Sequence, residues 1–173
     1  GWTLSEADAF RQFDQALDLG LNFIDTADVY SRWAPGHQGG ESETIIGKWL
    51  AKSSRRKDVI LATKVGMDMG EDRKGLKPEY IKQAVEASLR RLQTDYIDLY
   101  PLHRPDPETD IDETLSALTD LVRQGKVRTI GTSSMRGSEI VEAQWMSERR
   151  GFERFRTEQP NYSILDREVE REI

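Results

Sequence analysis

The stretch Phe23-Ile24-Asp25-Thr26-Ala27-Asp28-Val29-Tyr30 sets the reading of the whole chain. A short apolar run ends in a carboxylate, and a phenol follows five residues later. The same design recurs downstream. Val59-Ile60-Leu61-Ala62-Thr63 ends in Lys64, and Tyr96-Ile97-Asp98-Leu99-Tyr100-Pro101-Leu102 ends in His103. Runs this short and apolar are expected of parallel strands covered on both faces. When successive strands of a β/α array end in ionisable residues, those side chains meet on one rim. A carboxylate, a phenol, an amine and an imidazole gathered there point to proton transfer onto a carbonyl.

Working outward from these runs, helices and strands alternate along the chain. Ser5 to Leu19 reads as an amphipathic helix capped by Ser5 with Asp8 and ended by Gly20. Leu21 to Ile24 is then the first strand. A long loop through Ser31-Arg32-Trp33-Ala34-Pro35-Gly36 leads to a helix from about Ser42. After the Val59 to Thr63 strand, Pro78 opens a helix where its missing N–H does no harm. Tyr96 to Leu102 is the third strand, and Asp110 with Glu113 looks like a capping pair for the next helix. Val127 to Gly131, a helix from Ser138 to Gly151, and Phe155 to Gln159 follow. Asp166 to Ile173 reads as the first turns of another helix.

Composition bounds the function from the other side. The chain has 173 residues, 25 basic against 31 acidic, and a formal net charge of −6. That balance argues against a nucleic-acid partner. The densest basic run, Arg55-Arg56-Lys57, reads as the solvated end of a helix. Without cysteine there is no disulfide, thiolate zinc site or cysteine nucleophile, and two histidines make a His-rich metal site a poor fit. No stretch approaches the ~20 apolar residues of a membrane span. The first residues lack the basic and apolar regions of a signal peptide, so the cytoplasm is the expected setting.

Strict alternation of strands and helices implies a parallel sheet with helical crossovers. Polar residues on consecutive strands favour a barrel over a doubly wound sheet with a single switch-point crevice. The expected fold is therefore α/β, of the (β/α)8 TIM-barrel type. A closed barrel needs eight strands and about 250 residues. Residues 1–173, with five strands, are expected to form one partial barrel lacking the first barrel strand and the C-terminal βα units.

At this point the chain resembles the aldo-keto reductase family, over essentially its whole length. Gly20 to Ala27, with Tyr30 five residues after Asp25, looks like the family segment Gly-x-x-x-Ile-Asp-Thr-Ala with its tyrosine. Glu43-Thr44-Ile45-Ile46-Gly47 is similar to the Glu-x-x-Leu-Gly that closes the signature. Lys64 after Ala-Thr and His103 at a strand end occupy the remaining family positions. The resemblance implies reduction of aldehydes or ketones to alcohols by hydride from NADPH, with a small-molecule carbonyl substrate. It makes Tyr30 the proton donor, Lys64 the group that tunes it, and Asp25 the partner that keeps Lys64 charged. His103 then orients the carbonyl oxygen or assists proton transfer. A free phenol has a pKa of roughly 10, and an adjacent ammonium favours its ionised form.

For the cofactor, the resemblance points to Asp25, Thr26, Ser133, Ser134 and Gln159. Gly131-Thr132-Ser133-Ser134 stands where the family has Gly-x-Ser-Asn, so Ser134 replaces the asparagine. The family's pyrophosphate loop and its site for the adenosine phosphate belong to later strands that this sequence does not include. Five strands with open edges imply self-association and little activity for the chain alone. Trp33, in the loop after Tyr30, either walls a substrate pocket or belongs to a surface lid. Two other functions fit the same residues: a non-catalytic NADPH-binding regulatory subunit resembling potassium-channel β-subunits, and a lyase using Lys64 as a Schiff base.

Overall fold

A computed structural model describes residues 4–173. Its five strands are all parallel and lie in the order β1-β2-β3-β4-β5. They are β1 Phe23–Asp25, β2 Ile60–Ala62, β3 Ile97–Leu102, β4 Val127–Ser133 and β5 Glu158–Gln159. Helices α1 Glu6–Asp18, α2 Glu41–Ser53, α3 Pro78–Leu92, α4 Ile111–Arg123, α5 Gly137–Arg150 and α6 Val169–Glu172 complete the chain. Each strand neighbours the next one in sequence, with no reversal of order. That is the winding of a barrel rather than of a doubly wound sheet, and the fold is a partial TIM-type barrel. Among the described residues no helix is long and apolar enough to cross a membrane.

The core lies between the sheet and helices α2 to α4. Ile81, Val85 and Leu92 from α3 and Leu115, Leu118 and Leu121 from α4 are buried there against Leu61, Ile97, Leu102 and Ile130. Their spacing of three, four and seven residues is the apolar stripe of a helix facing a sheet. Trp49 of α2 is almost fully buried, with its ring 5.1 Å from that of Phe13 in α1. Its indole N–H donates to Asp14 at 2.9 Å. Where α2 crosses the end of α3, a Cβ on Gly47 would lie 2.1 Å from the Arg91 carbonyl oxygen. Only glycine permits that approach.

Several elements differ from the sequence expectation. The first strand begins at Phe23 because Leu21 still closes α1. Gly20 adopts φ 81°, and the Leu21 N–H donates back to Ala16, the Schellman arrangement. Ser5 caps α1 as expected, accepting from the Asp8 N–H at 3.2 Å. Asp110 stands at the N-cap of α4, but its side chain makes no cap hydrogen bond, so the pair with Glu113 does not close as a box. The fifth strand contracts to Glu158–Gln159, and the final helix begins only at Val169.

The largest revision concerns Arg56, which is no solvated helix end. It sits in a 3-10 turn, Arg56–Asp58, with only 15% of its side chain exposed. It donates to Thr94, to the carbonyls of Val59 and Tyr96, and to Asp98 at 2.8 Å. Asp98 also accepts from Arg128 and from the Leu61 N–H. Both guanidinium groups stack on the Tyr96 ring, at 3.9 and 4.0 Å from its centre. One carboxylate thus ties β2, β3 and β4 together. Removing one member of a half-buried ionic network leaves its partners uncompensated. Asp98→Ala should therefore cost about 3 kcal/mol, measured by urea unfolding. A loss below about 0.5 kcal/mol would mean that Asp98 is only a surface partner.

Candidate active site

The expected rim residues converge where β1, β2 and β3 end. Asp25 is the last residue of β1, Lys64 lies two residues past β2, and His103 directly follows β3. Lys64 is 1% exposed. Its ammonium donates to both oxygens of Asp25 at 2.7 Å, to the Thr26 carbonyl at 3.1 Å and to the Tyr30 hydroxyl at 3.1 Å. Burying an ammonium is costly unless it is paired and hydrogen-bonded, and here every one of its protons has an acceptor. The β1–β2 register, with Asp25 beside Ala62, sets the carboxylate against that ammonium.

Aromatic rings form the wall around the phenol. The Tyr30 ring meets His103 edge-on at 5.7 Å, and Trp33, three residues further along Tyr30's own loop, lies 6.0 Å from it. Trp33 is largely exposed, so it stands beside the phenol without being buried by it. His37 is held at the surface near the Ser31 carbonyl and does not enter the cluster. Grooves of 280 to 570 Å³ elsewhere on the surface are lined by residues other than these four.

The candidate cofactor residues lie at the far edge of the same rim. Ser133 ends β4 and donates to the Gln159 carbonyl oxygen at 2.8 Å. The Gln159 amide N–H reaches Asp25 at 3.4 Å, so side chains from the two outermost strands touch and the sheet is curled. A nicotinamide carboxamide needs both a donor and an acceptor, and Ser133 with the Gln159 amide offers them beside Asp25. Ser134 has left-handed backbone at φ 58°, a conformation that asparagine tolerates better than serine does. Thr26 is fully buried, and its hydroxyl is shared with Ser42 at 2.8 Å. Only its backbone carbonyl joins the cluster.

A second polar cluster behind Tyr30 was not legible as a unit in the sequence. Glu43, fully buried, accepts from Thr63 and from Arg91, each at 2.6 Å. Asp28 lies close enough for Glu43 to influence its charge. The sequence signals were Glu43, in the segment that closes the family signature, and Asp28, in the turn between the ion pair and the phenol; neither pointed to Arg91 as their companion.

The sequence model of the Aldo/keto reductase family matches residues 1–173, and the chain belongs to that family. It is 43% identical over its full length to the uncharacterized oxidoreductase YrpG of Bacillus subtilis, covering 54% of that protein. It is 38% identical to the aldo-keto reductase NECHADRAFT_45914 of Fusarium vanettenii, over 99% of this chain and 51% of the relative. Protein tas of Escherichia coli is 34% identical over 96% of this chain and 55% of its own length. The chain spans about half the length of these curated relatives.

His103 gives the site a measurable pH signature. Its Nδ1 is buried with no partner among the described residues. Burial foremost, and then the charges of Lys64 and Arg104, push the imidazole down from 6.5 to about 4. The unfolded chain takes up this proton below pH 6.5, whereas the folded chain resists until about pH 4. This group's contribution to stability is thus present above pH 6.5 and lost as pH falls towards 4. In unfolding experiments, His103→Gln should lose less stability than wild type between pH 6.5 and 4. Parallel curves for the two proteins would show that His103 is not buried as described.

Proposed function

We propose that the rim reduces aldehydes or ketones to alcohols by hydride transfer from NADPH, with Tyr30 giving the proton. The observation that carries this reading is the buried ammonium of Lys64 holding the Tyr30 hydroxyl at 3.1 Å while Asp25 neutralises it. A reduced nicotinamide bound beside Ser133 and Gln159 would supply the hydride. Tyr30 transfers its proton to the carbonyl oxygen as negative charge develops there. The phenolate left behind faces the ammonium of Lys64, which stabilises it. Asp25 keeps that ammonium in place. His103 is a neutral imidazole at ordinary pH, which suits orienting the oxygen by a hydrogen bond better than acting as the acid. Trp33 offers the substrate a flat apolar surface next to Tyr30.

The Schiff-base reading loses ground on the same geometry. A lyase lysine needs a free lone pair, whereas the Lys64 nitrogen spends its protons on four acceptors. Asp25, Ser133 and Gln159 would engage only the nicotinamide end, so by themselves they should hold the cofactor weakly. The open sheet edges leave self-association available to it. The cytoplasm is the proposed setting, in line with the cysteine-free composition.

In protein that reduces carbonyls, Tyr30→Phe should lose that activity by ~10²–10⁴-fold, the usual size of general acid catalysis. NADPH binding, read by fluorescence, should change little. Lys64→Met should also slow turnover and displace the pH–rate profile, and Asp25→Asn should do the same more mildly. A Tyr30→Phe enzyme with wild-type rate on an activated aldehyde would remove Tyr30 from the mechanism. Tight NADPH binding without turnover in wild type would instead assign the protein to the non-catalytic binding modules.

A further inference from the structure

Asp28 occupies the turn between the ion pair and the phenol, and it is 2% exposed. Its Oδ1 is buried without a partner among the described residues. The Tyr100 hydroxyl, fully buried on β3, is also without one. Charged and titratable groups face this pocket from several elements. Glu43 comes from α2, Arg91 and Tyr80 from α3, Tyr100 from β3, and Arg73 from the loop before α3. A groove of about 530 Å³, lined by Asp28, Met69, Arg73, Tyr80 and Arg91, leads past the site. Lys82, Glu86 and Arg90 of α3 line the same groove, and Arg91, whose charge acts on Asp28, is committed to Glu43 at 2.6 Å.

Backbone bonds tie Asp28 directly to the proposed chemistry. Its N–H donates to the Lys64 carbonyl at 3.3 Å, and the Tyr30 N–H donates to Ala27 at 3.2 Å. A shift of Asp28 therefore moves a turn that starts at the lysine's own peptide and ends at the phenol. We propose that Asp28 is a positioning residue for Tyr30. It is a buried proton switch that holds the phenol on Lys64 while its side chain is uncharged. When a second carboxylate forms beside Glu43, it draws the turn outward.

As a neutral acid, Asp28 has no charge to bury and adds nothing to the charge of Glu43. Once ionised, it repels Glu43 and is drawn into the groove, towards Arg73 and solvent. Burial first, and then Glu43, raise this carboxyl to about 7, so the switch lies in the neutral range. The proton is exchanged with solvent along the groove. The consequence for turnover, a decline in carbonyl reduction above neutral pH, rests on Tyr30 being the donor. The coupling of Asp28 to Tyr30 does not, and it is measured without turnover.

The test is carbon-13 NMR on protein labelled at tyrosine Cζ and aspartate Cγ, titrated from pH 5 to 9. Tyr30 is assigned through Tyr30→Phe. In wild type, the Asp28 carboxyl should titrate near 7, and the Tyr30 resonance should step at the same midpoint. Ring-to-ring Overhauser contacts between Tyr30 and His103 should weaken across that step. Asp28→Asn keeps the size of the side chain and cannot ionise, so the step should vanish, while His103→Gln should retain it. Three results would overturn the proposal: an Asp28 carboxyl already ionised below pH 5, a Tyr30 step that survives Asp28→Asn, or unchanged Overhauser contacts across the step. The third calls on Tyr30→Phe for assignment but not on Asp28→Asn, so the proposal stays testable even if Asp28→Asn fails to fold.

Discussion

Lys64 carries a full positive charge into a place that is almost wholly shut off from water, and the rest of the rim answers to that fact. Effective desolvation of such an ion costs several kcal/mol unless a counter-charge and hydrogen bonds stand ready. Asp25 and the Thr26 carbonyl supply them only because β1 lies beside β2 in one register. Slipping β1 by a single residue would turn Asp25 to the opposite face of the sheet. The ammonium would then be buried without its partner. The ion pair thus selects the alignment of the two strands as much as the strands place the pair. Because the ammonium is fixed, the hydroxyl of Tyr30 has one place to go.

What the sequence disclosed followed from local pattern. Asp25, Lys64 and His103 could be found because each ends an apolar run, and a strand end in a β/α array has a known destination. Arg56 could not be found this way. Its partners Thr94, Tyr96 and Asp98 lie on another βα unit, and a run of three basic residues looks the same whether solvated or tied down. The pocket of Asp28, Glu43 and Arg91 was hidden for a similar reason. Its members come from a turn and two helices whose mutual approach depends on Gly47 lying against the end of α3. The strand at Phe155–Gln159 was overread because Phe155 is apolar for the core's sake, not because its backbone is paired in the sheet.

Ser134 and Thr26 show a finer limit. Motif positions give residue identity, not the environment a side chain meets. Thr26 sits within the signature, yet its hydroxyl is turned to Ser42. Ser134 stands in for asparagine at a backbone angle that asparagine handles with less strain. Both facts belong to conformation, and neither could be read from the letters.

Asp25 and Gln159 touch each other from opposite margins of the sheet, on strands of three and two residues. Such margins have few backbone bonds to break, so they open in small local fluctuations while longer central strands stay shut. Amide protons near the chemistry should therefore trade with solvent sooner than those of Ile97–Leu102 and Val127–Ser133. Anything that bridges Asp25 and Gln159 acts as a buckle, slowing exchange at both margins at once while leaving the middle of the sheet as it was.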